Sequence, residues 1–256
     1  MKPEPQENGF IEVNELFFSY GPKRIFENVS FSFPDCNKII AVVGASGAGK
    51  TTLLKLLSGL QSADSGTIKV CGSGVHQPSA ERPVVFQEHN LFPWKTVFQN
   101  IEFGLKAKKV PAEIRSQKVN ALLEKVGLSA QAQAYPNELS GGMQQRVGLA
   151  RCLAVDPRCI LMDEPFSSID YRSKENVMSH FLNHLAQHQS KAILVTHDLE
   201  EAARIASSAV IVHSDGNVKL IEFDSIESGY PSDSLKPEQI EQIEQRVSLL
   251  RSNFSD

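Results

Sequence analysis

Gly44-Ala45-Ser46-Gly47-Ala48-Gly49-Lys50-Thr51 has the residue types and spacing of the G-x-x-x-x-G-K-[ST] phosphate-binding pattern. Its glycines let the backbone curl so that successive N–H groups point at the β- and γ-phosphates, and a helix opening there adds a positive field. Lys50 is expected to reach the β/γ oxygens and the Thr51 hydroxyl to take a Mg²⁺ position. The expected phosphate-binding set is Gly44, Ala45, Ser46, Gly47, Ala48, Gly49, Lys50, Thr51 and Thr52. A second acidic element follows at Cys159-Ile160-Leu161-Met162-Asp163-Glu164, four largely apolar residues ending in two acids. Asp163 is placed to hold Mg²⁺ through its waters, since that ion keeps several waters and takes few protein ligands. Glu164 is placed to orient and polarise an attacking water.

These groups need elements to hold them. Lys38–Val43 is a β-branched run that reads as a buried strand, and Thr51–Leu60 is apolar at helical spacing and closed by Gly59. Ahead of them, Phe10–Tyr20 and Ile25–Phe33 read as antiparallel strands joined through Gly21-Pro22. Gly66–Val70 and Arg82–Phe86 read as further strands. From about Glu88 to Ala154 strand signals fade, and helical patterns at Pro111–Val126 and from Gly142 suggest an inserted helical subdomain. Strands return at Cys159–Met162, Ala192–Thr196 and Ala209–His213, separated by helices, which implies a parallel sheet. The expected organisation is a main domain over residues 9–230, with the insertion at about 88–154, and a helical tail over 231–256. Pro231 and Pro237 punctuate that tail, and Ile240, Ile243, Val247 and Leu250 give one of its helices a narrow apolar stripe.

Composition bounds the setting. The 256 residues are 41% hydrophobic and 22% charged, an ordinary globular profile. A formal charge of −4 offers no reason to expect a nucleic-acid surface. No apolar run approaches the roughly 18 residues needed to span a bilayer, and Met1–Asn8 has no signal-peptide pattern. The chain is therefore expected to stay in the compartment where it is made. Cys36, Cys71, Cys152 and Cys159 show no metal or redox spacing and read as reduced packing thiols. His180, His184 and His188 recur at i, i+4, i+8, a spacing at which two histidines share a metal. No carboxylate or cysteine joins them at a matching position, so no metal is expected there.

Leu139-Ser140-Gly141-Gly142-Met143-Gln144-Gln145-Arg146 separates the chain from other phosphate-loop proteins: it resembles the signature motif of the ABC transporter ATPases. A serine and two glycines before a helix make a further anion-binding N-terminus. In that family the segment binds the γ-phosphate of ATP held by the opposite subunit, so the resemblance implies two composite sites in a head-to-tail dimer of two copies. It further implies a RecA-like α/β fold with an N-terminal antiparallel β-subdomain and a helical insertion. It implies adenine stacking on Tyr20, linkage of Mg²⁺ to the helical subdomain through Gln87, and γ-phosphate contact by His197. Ser167-Ser168-Ile169-Asp170 matches the loop that crosses the dimer interface. Met143 stands where many members have Gln and Ser168 where alanine is commoner. Pro34-Asp35-Cys36-Asn37 lacks the usual Gly-Glu, and the segment after Ile221 matches no tail pattern.

Phe86-Gln87-Glu88-His89-Asn90-Leu91-Phe92-Pro93-Trp94 looks like the importer ATPases of the nitrate, sulfonate and taurine group. That resemblance implies MgATP hydrolysis driving two transmembrane permease subunits, served indirectly by a solute-binding protein, at the cytoplasmic face of the inner membrane. Phe92 and Trp94 are then expected to form part of the docking surface for a permease. The rival class is a soluble ABC ATPase acting on an assembly or nucleic acid.

Overall fold

A computed structural model describes residues 9–36, 38–88, 90–224 and 235–254. Pro231, His89 and the expected boundary at 230 lie outside the described residues. These residues fall into two compact units, within Met1–Ser79, Lys191–Gly229 and Lys236–Asp256 for the first and within Ala80–Ser190 and Tyr230–Leu235 for the second.

In the first unit, β1 (Ile11–Tyr20) and β2 (Lys23–Phe33) form an antiparallel hairpin, with β4 (Ser65–Val70) and the short β5 (Ser73–Gly74) added beyond β1. The inward positions of β2 (Phe26, Val29, Phe31, Phe33) are buried while their neighbours, the half-buried Ile25 apart, are exposed, as a half-buried strand requires. The core strand β3 (Ile39–Gly44) is buried at every residue. It lies between β8 (Lys191–Val195) and β9 (Ser208–Val212), parallel to both. β10 (Val218–Glu222) adds antiparallel to β9, so the sheet is mixed rather than purely parallel. Its hairpin turn carries Asp215-Gly216, with Gly216 at φ 84°.

α1 (Lys50–Ser58) starts directly behind the glycine-rich loop and ends at Gly59, whose left-handed conformation at φ 81° returns its amide to Leu56 and Lys55. α6 (Leu199–Ile205) follows β8, and α7 (Pro237–Ser252) packs on α6. Ile243 and Leu250 of the tail stripe are buried, but Ile240 is exposed, and the face is completed by a buried Arg246. Its guanidinium donates to the carbonyls of Ala203 (2.8 Å), Ala206 (3.2 Å) and Asp224. It thus satisfies acceptors that the end of α6 leaves without intrahelical donors. Arg246→Met keeps the aliphatic bulk and strands those carbonyls, so a loss of about 2 kcal/mol is expected. A thermal melt should show a fall of roughly 4–8 °C, and an unchanged midpoint would argue against this docking.

In the second unit, β6 (Val84–Val85) pairs in parallel with β7 (Cys159–Asp163). The expected strand over Arg82–Phe86 is shorter than its apolar pattern suggests because Pro83 has no N–H to give. The pairing survives one-sidedly, with the amides of Cys159 and Leu161 donating to the carbonyls of Glu81 and Pro83. α2 (Val97–Ala107), α3 (Ala112–Lys125) and α4 (Gly141–Leu153) form the helical part, and α5 (Tyr171–His188) follows β7. α2, which the apolar pattern did not announce, opens with a reciprocal capping box between Thr96 and Gln99. Cys71, Cys152 and Cys159 are buried and Cys36 is exposed, and none of the four is in a disulfide. Burial pushes the Cys152 thiol up to about 11. No helix of the described residues is long and apolar enough to cross a membrane.

Candidate functional site

The phosphate loop grows out of the end of β3. Gly44, Gly47 and Gly49 have φ of 154°, 79° and 108°, conformations open to glycine at little cost. Close approach adds to this at two of them. A Cβ on Gly44 would lie 2.3 Å from the Val212 carbonyl oxygen, and one on Gly49 would lie 2.9 Å from the Ile25 side chain and 3.2 Å from the Phe26 ring. The hairpin is therefore wedged under the loop. Ala45, Ser46 and Gly47 are exposed, whereas Ala48 and Thr52 are buried and anchor the loop to the core. The Lys50 ammonium folds back over the loop onto the carbonyls of Gly44 (2.9 Å) and Ala45 (2.8 Å). Thr51 is exposed on the first turn of α1.

His197 lies just past the carboxyl end of β8. Because β8 runs parallel to β3, with Val195 opposite Val42, that end shares an edge with the loop after Gly44. This is the edge at which open α/β sheets bind ligands. The turn is fixed on both sides of the exposed histidine. Thr196 donates its amide to Val42 (3.2 Å) and accepts the Asp198 amide on its hydroxyl (3.0 Å), while Asp198 caps α6 through Glu200 and Glu201. Tyr20 ends β1, exposes 44% of its surface and packs edge-on against Phe18 with ring centroids 4.9 Å apart.

The second unit groups the acidic and signature residues. Gln87 follows β6 and Asp163 ends β7, so the two emerge from neighbouring parallel strands at the same edge. Asp163 is buried, and Glu164 is half-buried with a left-handed φ of 48°. A non-glycine residue in that region costs about 1–3 kcal/mol and persists where its surroundings hold it. Those surroundings are on view. The Glu164 carbonyl accepts from Gln145 Nε2 (2.8 Å), Ser167 Oγ (3.0 Å) and the Ser167 amide (3.3 Å).

Gln145, buried in α4, also accepts the Ser168 amide on Oε1 at 3.1 Å. One side chain thus ties the helix carrying the signature to the whole turn from Glu164 to Ser168. Ser140 caps α4 by accepting the Met143 amide at 3.3 Å, and Gly141 is exposed beside it. Gly142 packs on the same turn, since a Cβ there would lie 2.6 Å from the Ser168 carbonyl oxygen. Arg146 donates to the Val126 carbonyl at 2.8 Å. Asp170 caps α5, and the hydrogen bond from Ser173 and, more weakly, the Arg146 charge hold its carboxyl below the usual range.

Two features were not foreseen from the sequence. Gln145 reads as a polar residue within a helix, and no local pattern announces its partners. A carboxylate does join the histidines after all: Asp156 stands beside His184 and His188, while His180 is exposed and lies outside the cluster. Its position in the turn before β7 hid it from any reading of one helix.

Known proteins resemble this chain over most of its length. Residues 26–167 match the family model described as ABC transporter. A nitrate import ATP-binding protein of Synechocystis is 44% identical over 180 residues, covering 70% of this chain and 68% of that protein. A taurine import ATP-binding protein of Escherichia coli is 36% identical over 212 residues, covering 83% of this chain and 82% of its own. An uncharacterized ABC transporter ATP-binding protein of Methanocaldococcus jannaschii is 38% identical over 245 residues, or 94% of this chain and 90% of that one. Among solved structures, a dimeric ATP-binding cassette in a post-hydrolysis state with ADP and Pi is similar at a TM-score of 0.73 and 26% identity. It is matched over 84% of this chain and 100% of that one. A dimeric bacterial ABC transporter cassette gives a TM-score of 0.74 at 27% identity, with the same coverage. With a phosphate loop, an acidic strand end and a signature helix in family order, the chain belongs to the ABC transporter family as one of its ATP-binding ATPases.

Proposed function

We propose that two copies of this chain close head to tail around two ATP molecules, and that the cycle of closure and opening drives a permease importing a small organic or inorganic anion. The observation that carries the hydrolytic role of Glu164 is the shared turn, which fixes its backbone. Gly142 and Gln145 of the signature helix both pack on the segment from Glu164 to Ser168. The dimeric cassettes among the structural relatives support the pairing, and the nitrate and taurine import relatives support the direction and the solute class. Nothing comparable supports the soluble alternative.

Each site would take its phosphate loop, Tyr20, Gln87, Asp163, Glu164 and His197 from one copy and Ser140, Gly141 and Gly142 from the other. Thr51, Gln87 and Asp163 offer oxygen donors only, which suits Mg²⁺; bound there, the ion would neutralise charge on the β- and γ-phosphates. Lys50 exchanges its two carbonyl partners for phosphate oxygens, Glu164 orients the water, and His197 contacts the γ-phosphate. The subunit would sit peripherally on the cytoplasmic face of the inner membrane, held by two permease subunits fed by a solute-binding protein.

Docking would use the aromatic patch on the loop after Gln87. Trp94 is 69% exposed, and Phe92 lies between it (5.7 Å) and the exposed Phe103 of α2 (4.6 Å). The loop is held by the buried Asn100, whose amide bonds the backbone of Phe92, Lys95 and Thr96. An exposed tryptophan beside a half-buried phenylalanine on a held loop suits the energetic centre of an interface, where truncation costs about 2 kcal/mol or more. Phe92→Ala/Trp94→Ala should keep the melting temperature and ATP affinity of the isolated subunit while membrane recruitment and uptake fall at least about tenfold. A destabilised subunit that still reaches the membrane would overturn the docking role. For the transport reading itself, the chain should co-purify with a hydrophobic membrane protein, and its deletion should abolish uptake of an anion such as nitrate or a sulfonate. An ATP-dependent complex lacking any membrane protein would refute it.

A further inference from the structure

His184 and His188 lie one turn apart on the last two turns of α5, on one face. His184 is only 3% exposed, and neither of its ring nitrogens makes a hydrogen bond. A buried imidazole without a partner is uncommon and asks for an explanation. Asp156, in the turn between α4 and β7, presents Oδ1 at 3.7 Å from His184 Nε2 and 3.4 Å from His188 Nδ1. One ligand atom from each of the three residues lies within 4.8 Å of the others. Two ligands on a tetrahedral zinc ion, at bonds of 2.0–2.1 Å, stand about 3.4 Å apart.

From this we propose that Asp156, His184 and His188 form a binding site for one divalent transition-metal ion of the zinc class, separate from the nucleotide site. Two imidazoles and one carboxylate are a borderline donor set that favours zinc and its first-row neighbours over Mg²⁺ or Ca²⁺. The end of α5 adds the negative pole of the helix. The surrounding charges are Lys118 of α3, bound to the other Asp156 oxygen, and Lys125 of α3, which also faces His184. Burial first, then His188, pulls the His184 ring down to about 4, so it stands neutral and ready to ligate near pH 7. The two lysines oppose a cation and set the affinity well below that of a closed structural zinc site.

On binding, the rings, now stacked with centroids 4.1 Å apart and planes at 20°, turn their nitrogens toward the ion. Asp156 precedes β7, whose far end carries Asp163. The ion is therefore a staple between the end of α5 and the turn feeding the acidic strand, and not a participant in hydrolysis.

The test uses the tag-free full-length protein, stripped with chelator and free of nucleotide and Mg²⁺. Zn²⁺ titrated against a chromogenic competitor should bind at one ion per chain with a dissociation constant in the micromolar range or tighter, and Co²⁺ should give the intense visible bands of a four-coordinate site. The melting temperature should rise with Zn²⁺, since an ion at 100 times its dissociation constant favours the folded state about 100-fold. His188→Ala, at an exposed position, should weaken binding at least about tenfold and remove the Co²⁺ bands. His188→Cys should restore both, and His180→Ala should change neither. Substoichiometric binding at about 100 µM free Zn²⁺, or a His188→Ala protein that binds as the parent does, would overturn the site.

Discussion

Glu164→Gln is expected to bind ATP as tightly as the parent chain and to hydrolyse it at least about 100-fold more slowly. The substitution changes the side-chain head and nothing else the structure relies on. Glu164 holds its left-handed backbone through its carbonyl, which accepts from Gln145, Ser167 Oγ and the Ser167 amide. A glutamine keeps those backbone bonds and the same length, so the turn should stay in place. What it loses is the carboxylate proposed to orient and polarise water. Binding groups on the phosphate loop are untouched. ATP should therefore trap the variant as a closed dimer, seen as an ATP-dependent shift on a sizing column. Near-parental turnover would take Glu164 out of the catalytic role.

Much of this architecture was legible because its determinants are local. A buried β-branched run before glycines, a lysine and a threonine needs only adjacent residues to mark β3, the phosphate loop and α1. Two elements that went unannounced also carried local signals, Asp215-Gly216 for the β9–β10 hairpin and Thr96-x-x-Gln99 for the start of α2. The strand at Arg82–Phe86 was overdrawn because apolar pattern does not register the donor that Pro83 lacks. The harder cases are non-local. Gln145 acts on the Glu164 carbonyl and the Ser168 amide, 19 and 23 residues further along. Asp156 meets two histidines from another helix. Neither juxtaposition exists until α4, β7 and α5 pack. Sequence spacing thus located the groups proposed to touch phosphate and left out those that position them.

The pairing of sites across two copies gives the other large effect. Ser140→Arg should abolish hydrolysis while leaving nucleotide binding at Lys50 of the same chain in place. Ser140 is exposed, and its hydroxyl oxygen accepts the Met143 amide at the start of α4. Losing that cap costs about 1 kcal/mol, too little to unfold the chain. The arginine puts bulk and a fixed positive charge where a γ-phosphate would meet the signature. Lys50→Ala fails for the opposite reason, since the ammonium now resting on Gly44 and Ala45 is gone and the phosphates lose it. Each variant alone is expected to be inactive. In a heterodimer, Lys50 of the Ser140→Arg chain faces the unaltered Ser140 of its partner, and both defects collect in the other site. Random pairing of equal amounts makes half the dimers mixed, so independent sites would recover about one quarter of the parental rate. Titrating one variant into the other under ATPase assay should trace a maximum near equal mixing. A flat, inactive mixture of two folded variants would mean that each site is built within one chain.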